Sequence, residues 1–265
     1  MIYLFFASSF DGMLSASILK SMCTNAQTPV IPIKSNRNVT QICSMISKSG
    51  IRETDTVVLI GCSYNPRADI WIDNHPIKAE DPIATHCYCN NDADSIFEIC
   101  VEEFRNPFLN TNTTIHCHQL LTLNNITAKE LFESSDDIIT LKRHVESNMF
   151  NKDLICRVVE QFGNNNFNFK NVNKVIGIRN EEILSNLNFL LDSVENEVKV
   201  KGCVTKLNIT KKFVPEYAEF YFYENCDYSI RIIQKRDNDS VEVVLNVNPF
   251  KKGVIKLNDI MINVQ

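Results

Sequence analysis

The sequence predicts an α/β protein: a mainly parallel N-terminal sheet domain, a helical linker and a small C-terminal domain of mixed α+β type. In the N-terminal part, short apolar runs alternate with amphipathic segments, as strands and crossover helices do in parallel sheets. From about residue 115 the apolar spacing is helical, and after 197 it alternates as in strands. We therefore predict a sheet domain over 1–125, a helical linker over 126–195 and a β-rich domain over 196–265.

Strands and helices alternate in the predicted N-terminal domain. The run 2–6 is entirely apolar, which is typical of a strand buried on both faces of a sheet, and further strands are predicted at 29–33, 55–63, 69–73 and 83–89. Apolar residues at helical spacing, preceded by residues that can cap a helix, indicate the helices. They are predicted after Gly12, at 40–50 and at 92–104. Strands separated by helices imply right-handed crossovers and a parallel sheet.

The C-terminal half is predicted to be helical first and β-rich afterwards. Helices are expected within 127–150 and 180–198, and the Asn-rich stretch 163–174 between them is predicted to be a loop or linker. Alternating apolar residues predict strands at 197–209, 218–224, 228–236 and 240–248. The polar stretch 236–240 has the composition of a hairpin turn.

Composition excludes several classes of function. The chain of 265 residues carries a formal net charge of −5 and has an isoelectric point near 5.6, so we do not expect a protein that coats duplex DNA. The one basic run, 199–212, is interpreted as a solvated strand face. The apolar N-terminus lacks a basic flank and is too short for a signal peptide or membrane span, so no membrane association is expected.

Cysteine usage indicates a reducing compartment. Ten cysteines occur at irregular spacing without a C-x-x-C pair, which predicts free, mostly buried thiols in an intracellular, cytoplasmic protein. The Asn-, Ile- and Lys-rich composition is typical of an AT-rich genome, and we interpret it as a hint of a viral or parasitic source.

Two polar stretches end predicted strands of the sheet. The first, 9–16, reads Ser-Phe-Asp-Gly-Met-Leu-Ser-Ala, and the second, 71–76, reads Trp-Ile-Asp-Asn-His-Pro. Because the carboxyl ends of parallel strands meet at one edge of a sheet, we expect Asp11, Asp73 and His75 to lie near one another. Two carboxylates with an imidazole are typical of a divalent-cation and phosphate site. Taken alone, each stretch is more simply explained as a turn or a helix cap.

These stretches, together with Val-Val-Leu-Ile-Gly-Cys-Ser at 57–63, resemble the motifs of the DHH phosphoesterase superfamily. That superfamily includes RecJ-like nucleases, oligoribonucleases, cyclic-dinucleotide phosphodiesterases and manganese pyrophosphatases. The resemblance covers most of the chain and implies an α/β domain, a helical linker and a smaller substrate-binding domain. It also implies a divalent-metal-dependent phosphoester hydrolase that acts on nucleotides or short single-stranded nucleic acid.

The sequence departs from the superfamily pattern at most of the metal ligands. Ser9 stands where the family has the first aspartate of Asp-x-Asp, and Phe5 and Ala7 occupy the candidate positions of the preceding histidine. The second-motif aspartate has no counterpart within 61–63, and Asn74 replaces one histidine of Asp-His-His. The family's Gly-Gly-Gly-His motif is also missing.

What remains of the pattern implies an incomplete site. Asp11 and Asp73 are the only carboxylates at metal-ligand positions, so Mn²⁺ or Mg²⁺ would bind weakly. The resemblance implies that His75 contacts the substrate phosphate. The predicted phosphate-binding residues, all beside the two carboxylates in the sequence, are Ser9, Gly12, Asn74 and His75.

Three hypotheses for the function stay open on the sequence. Counting the ligands favours a degenerate, catalytically impaired phosphoesterase-like protein that keeps a phosphate- or nucleotide-binding crevice or acts as a scaffold. The alternative in the enzyme class is an active metal-dependent phosphodiesterase or nuclease that recruits other ligands, with the candidates Asp92, Asp94, His86 and His116. The third hypothesis is a protein-interaction module.

Other candidate sites have simpler explanations that we favour. Cys62 could be a nucleophile activated by His75, but a thiol at a strand end is more simply a buried apolar residue. A zinc site would need the clusters 86–89 and 116–118, whose histidines we interpret as sharing one face of a strand. The aromatic run 213–224 could stack bases, but a buried strand is the simpler explanation.

Overall fold

The computed structural model divides the chain into two compact units. The first unit comprises Met1–Thr122 and Asn148–Ile178, and the second comprises Leu123–Ser147 and Arg179–Gln265. The structure describes residues 1–23, 28–33, 39–75, 84–105, 109–123, 125–148, 151–164, 167–178, 187–188, 197–199, 202–208, 215, 217–234 and 241–251. The helices of the predicted linker are thus shared between the two units, and its role as a linker between independently folding domains stays a prediction.

The first unit contains the parallel sheet that the sequence predicts. Its five strands have the order β2-β1-β3-β4-β5, and every neighbouring pair is parallel. The strands are β1 (Ile2–Ala7), β2 (Val30–Ile33), β3 (Thr56–Ile60), β4 (Ile70–Asp73) and β5 (His86–Cys89). The predicted α/β fold class is therefore confirmed. In this order β1, β3 and β4 are successive neighbours, so the segments that follow them lie along one edge of the sheet.

Helices flank this sheet and bury its faces. Those of the first unit are α1 (Phe10–Met22), α2 (Val39–Lys48), α3 (Ile96–Phe104), α4 (Thr111–Thr122), α7 (Lys152–Asn164) and α8 (Phe169–Ile176). Leu4, Phe5 and Phe6 of β1 are completely buried, as expected of a central strand covered on both faces. Across the described ranges, no helix combines the length and hydropathy needed to cross a bilayer.

The second unit has a mixed sheet and short helices. The sheet order is β6-β7-β8-β9, with β7 and β8 parallel and the outer pairs antiparallel. The strands are β6 (Glu197–Lys199), β7 (Gly202–Asn208), β8 (Tyr228–Gln234) and β9 (Val241–Val247). The helices are α5 (Ala128–Glu133), α6 (Asp137–Ser147) and, late in the chain, α9 (Ala218–Phe222). This matches the predicted mixed α+β composition of the C-terminal part.

The prediction of a strand at 218–224 is wrong, because Ala218–Phe222 forms helix α9. Alternating aromatic residues favour strands, but here tertiary packing decides the conformation. Phe220 is completely buried against Tyr217 and Phe250, and Glu219 forms a buried ion pair with Arg231 of β8. A helix brings these neighbouring side chains into the second unit's core. Burial therefore explains Phe220, which lies on a helix and not on a strand, whereas the aromatic residues around it are only partly buried.

The prediction of a loop over 163–174 is also wrong, because α8 begins inside this stretch. The Asn168 side chain accepts a hydrogen bond from the Asn171 N–H, and the helix ends at Gly177 in a left-handed conformation. Phe169 packs against Phe162 of α7. An asparagine-rich composition favours a loop, whereas here one asparagine supplies the helix cap.

Some predictions fall outside the described residues. These include the hairpin turn at 236–240 and most of the predicted helix at 180–198. The strands on either side of the predicted turn are antiparallel neighbours, with Gln234 opposite Val241. Of the basic run 199–212, the structure describes a backbone strand over Gly202–Asn208.

Candidate functional site at the carboxyl edge of the first sheet

The predicted site residues lie at the end of β4 or in the segments that follow β1 and β4. Ser9, Asp11 and Gly12 belong to the start of α1, directly after β1, while Asp73 ends β4. Asn74 and His75 come next. We refer to this region as the carboxyl edge.

Ser9 and Gly12 are joined by a hydrogen bond at the start of α1. Ser9 is the N-cap residue, and its Oγ accepts the Gly12 N–H at 3.1 Å. Gly12 also lies against β1, where a Cβ atom would come within 2.3 Å of the Ala7 carbonyl oxygen. This close contact between helix and strand accounts for the glycine without a ligand. The proposed phosphate-binding roles of Ser9 and Gly12 therefore have a structural alternative.

We expect Gly12→Ala to destabilise the first unit by about 1–3 kcal/mol, because the new methyl group collides with backbone that cannot move aside. Urea unfolding followed by the fluorescence of Trp71, the only tryptophan of the chain, measures the change. Gly163→Ala in α7 is the comparison variant, because its Cβ would meet a side-chain atom, Lys20 Cγ at 2.8 Å, instead of a backbone oxygen. Equal stability of Gly12→Ala and the parent would refute the packing argument.

Asp11 caps a helix far away in the sequence. Its two carboxylate oxygens accept the N–H groups of Ile96 and Phe97, at 3.0 and 2.8 Å. These are the first two residues of α3, whose N-terminal N–H groups lack partners within the helix. The N-cap residue Ser95 accepts the Glu98 N–H at 3.1 Å. Asp11 therefore ties the start of α3 to the start of α1, and this capping role competes with the proposed metal-binding role.

The segment after β3 contributes no acid to the edge. Gly61 has a left-handed backbone (φ 62°), and a Cβ there would approach Ile96 Cδ1 to 2.5 Å. Cys62 is buried and its thiol donates to the Ile60 carbonyl at 3.2 Å. Burial raises the pKa of Cys62, so the thiolate is disfavoured. These features favour the structural explanation of Cys62 over the nucleophile hypothesis.

Asp73 and His75 form a hydrogen-bonded pair at the end of β4. Asp73 Oδ1 lies 2.7 Å from Nδ1 of His75 and also accepts the Asn74 N–H at 2.9 Å. The Asp73 side chain is 6% exposed and the His75 side chain is 40% exposed. Burial raises the pKa of Asp73, while the hydrogen bond from His75 acts in the opposite direction. A buried carboxylate thus holds and orients a partly exposed imidazole.

Asn74 connects this pair to the beginning of α3. Its side-chain amide donates to the Ala93 carbonyl at 3.4 Å, while Asp11 binds the N–H groups that start at Ile96. Asp11 and Asn74 therefore contact one short segment, 93–97. The structure brings these residues to a common element, as expected of neighbouring strand ends.

The alternative metal ligands do not converge within the described residues. No group of three His, Cys, Asp or Glu side chains there could hold a metal ion. His116 and His118 lie on helix α4, so the interpretation that they share a strand face is wrong. His118 lies 3.8 Å from Asp94, and His86 begins β5 at the opposite edge of the sheet. Neither a zinc site nor a complete two-metal site is formed by these side chains.

Two contacts of the site go beyond what the sequence motifs predict: the Asp73–His75 hydrogen bond and the Asp11 cap. The spacing Asp-x-His at a strand end is a signal for the first, because Asp73 ends β4 and His75 follows it by only two positions. The cap has no local signal, because Asp11 and Ile96 are 85 residues apart.

No protein-family model and no curated protein matches the chain. Among solved structures, the pGpG-specific phosphodiesterase PggH from Vibrio cholerae matches with a TM-score of 0.68 and 13% identity, over 96% of this chain and 85% of that one. The exonuclease RecJ bound to manganese matches with a TM-score of 0.47 and 9% identity, over 88% of this chain and 75% of that one. CDC45 from Entamoeba histolytica matches with a TM-score of 0.43 and 12% identity, over 94% of this chain and 85% of that one.

The likeness to the phosphodiesterase shows a shared fold, and a fold of this kind is what the resemblance to the DHH superfamily implies. At 13% identity this is a likeness of fold. The function of this chain must therefore be argued from the carboxyl edge itself.

Proposed function

We propose that the chain is a catalytically impaired phosphoesterase-like protein that binds the phosphate of a nucleotide or short oligonucleotide at the carboxyl edge. The Asp73–His75 pair carries the proposal. The buried carboxylate holds the Nδ1 side of a ring that is 40% exposed, so a bound anion would meet an imidazole of defined orientation. Protonated, this imidazole donates a charge-assisted hydrogen bond to a phosphate oxygen.

Impaired catalysis is proposed from the donor set. Hydrolysis by two metal ions needs several hard ligands that hold the ions against an attacking water. Asp11 uses both carboxylate oxygens to bind α3, and Asp73 binds Asn74 and His75. The described residues therefore do not fit a two-metal centre, and we assign no metal-dependent step to them. We propose in addition that a single Mn²⁺ or Mg²⁺ ion binds only weakly, beside Asp73.

A dinucleotide is the first ligand to test, because the phosphodiesterase of similar fold is specific for pGpG. We expect the parent chain to bind fluorescently labelled pGpG and His75→Ala to bind it about 10–100-fold more weakly at pH 6, since a hydrogen bond to a charged group contributes about 1.5–3 kcal/mol. Fluorescence anisotropy measures both affinities.

The matched control is His86→Ala, which removes an exposed histidine from the opposite edge of the same sheet. Its affinity should equal that of the parent. If His75→Ala binds pGpG as tightly as the parent at pH 6, the phosphate-binding proposal is wrong and the scaffold hypothesis takes its place. Turnover of pGpG in the presence of Mn²⁺ by the parent would instead support the active-hydrolase alternative.

A further inference from the structure

A groove between α3 and α4 lies outside the carboxyl-edge site. It consists of two adjoining cavities of about 250 and 390 Å³, which share Val101, Thr114 and Ile115. The first is lined in addition by Phe97, Glu98, Glu102 and His118, and the second by Arg105, Leu109 and Thr111. We call these ten residues the α3–α4 groove.

The floor of the groove is apolar. Phe97 is 1% exposed, whereas Ile115 on the opposite wall is 51% exposed. Single exposed aliphatic residues are common on surfaces, but Ile115 lies in a concave site beside Val101 and Phe97. Binding of a partner's apolar side chains to such a site is favourable, because it removes apolar surface from water.

The rim of the groove is mainly acidic. Glu98 and Glu102 line it from α3, and Glu103 follows on the same helix. The imidazole of His118 lies 3.8 Å from the carboxylate of Asp94, and Arg105 is at the far end, in the second cavity. A partner that carries positive charge beside its apolar residues would therefore be complementary along the α3 wall.

We propose that the α3–α4 groove docks a basic amphipathic helix of a partner protein. The groove follows helices of nine and twelve residues, or about 14 and 18 Å at 1.5 Å per residue, which is room for roughly three helical turns. A helix of that length presents apolar anchors at positions i, i+3, i+4 and i+7 on one face. Lysine and arginine residues on its flanks would lie beside Glu98 and Glu102.

The negative charges of Glu98 and Glu102 disfavour two other occupants of the groove, a second copy of this chain and nucleic acid. A symmetric dimer through this groove would bring two copies of the acidic α3 wall into one interface, and the summed negative charge opposes association. Nucleic acid is disfavoured because its phosphates would face Glu98 and Glu102.

The test uses the full chain and a labelled synthetic helix of about 16 residues, with leucine at the four anchor positions and lysine on the polar face. Fluorescence anisotropy at about 150 mM salt, where surface charges are screened beyond roughly 8 Å, gives the affinity. We expect Ile115→Ser and Glu102→Lys each to weaken binding at least about tenfold, through lost apolar burial and reversed charge respectively. A second helix with glutamate in place of every lysine should not bind.

Two control variants match these substitutions. Val175→Ser removes an aliphatic side chain of similar exposure, 49%, from α8, and Glu53→Lys reverses an exposed charge outside the groove. Both should bind the lysine helix as the parent does. Equal losses in control and groove variants, or no binding to the parent, would overturn the proposal. So would sedimentation velocity that shows a dimer of the parent dissociated by Ile115→Ser, because the groove would then belong to a second copy.

Discussion

Glu219→Gln should lower the free energy of unfolding of the second unit by about 3–5 kcal/mol, the usual cost of removing one partner of a buried ion pair. Arg231 on β8 donates from Nε to Glu219 Oε1 at 2.5 Å and from Nη2 to Oε2 at 2.7 Å. The carboxylate side chain is 1% exposed and the guanidinium side chain 10%. Glutamine keeps the volume of the side chain but removes the negative charge that this carboxylate places beside the buried guanidinium.

The measurement is hydrogen exchange of β8 peptides together with urea unfolding followed by circular dichroism. Lys129→Gln is the matched control, because the Lys129–Glu133 pair of the same unit is exposed and spans 4.0 Å. Exposed pairs contribute only about 0–1 kcal/mol. The double variant Glu219→Leu with Arg231→Met should recover much of the loss, since an apolar pair of similar volume removes the buried charge. Normal β8 protection in Glu219→Gln would contradict the proposed importance of the pair.

Asp11→Ala should destabilise the first unit by about 2–4 kcal/mol, because it leaves two N–H groups of α3 without their charged acceptor. Ile96 is 5% exposed and Phe97 is 1% exposed, so water cannot readily replace the carboxylate. Asp11→Asn should destabilise the first unit less than Asp11→Ala does, because the amide oxygen can still accept one of the two hydrogen bonds. Urea unfolding followed by Trp71 fluorescence measures these differences.

This experiment separates the helix-capping role of Asp11 from the metal-ligand role that the resemblance implies. Asp92→Ala is the control, because it removes an exposed carboxylate from the segment before α3 and should change stability by less than about 0.5 kcal/mol. A calorimetric Mn²⁺ titration of the parent and of Asp11→Asn completes the test. If Asp11→Ala is as stable as the parent, and Asp11→Asn loses Mn²⁺ binding that the parent has, the capping interpretation is wrong.

Local and periodic features made the first sheet predictable. The all-apolar runs that became β1 and β3 must be buried on both faces, and this requirement already implies a parallel sheet covered by helices. Ser9 caps α1 by bonding to a residue only three positions away, so its signal is contained within the motif. Short-range geometry of this kind depends little on the rest of the fold.

Elements whose partners are distant in the sequence could not be predicted in the same way. Ala218–Phe222 has the composition of a strand, yet the buried pair of Glu219 with Arg231, twelve residues away, accompanies a helix. Propensity differences are small beside the cost of leaving such a charge buried alone.

The parallel sheet, and the placement of Asp11, Asp73 and His75 at or after the ends of two of its strands, follow from the sequence. The hydrogen-bond partners of these side chains, in contrast, depend on the folded chain. Asp11 meets Ile96 because folding brings the start of α1 to the start of α3, and Asp73, buried at the end of β4, meets His75 in the segment that follows. A carboxylate will accept hydrogen bonds from whichever donors the fold places beside it, and the sequence does not specify those donors.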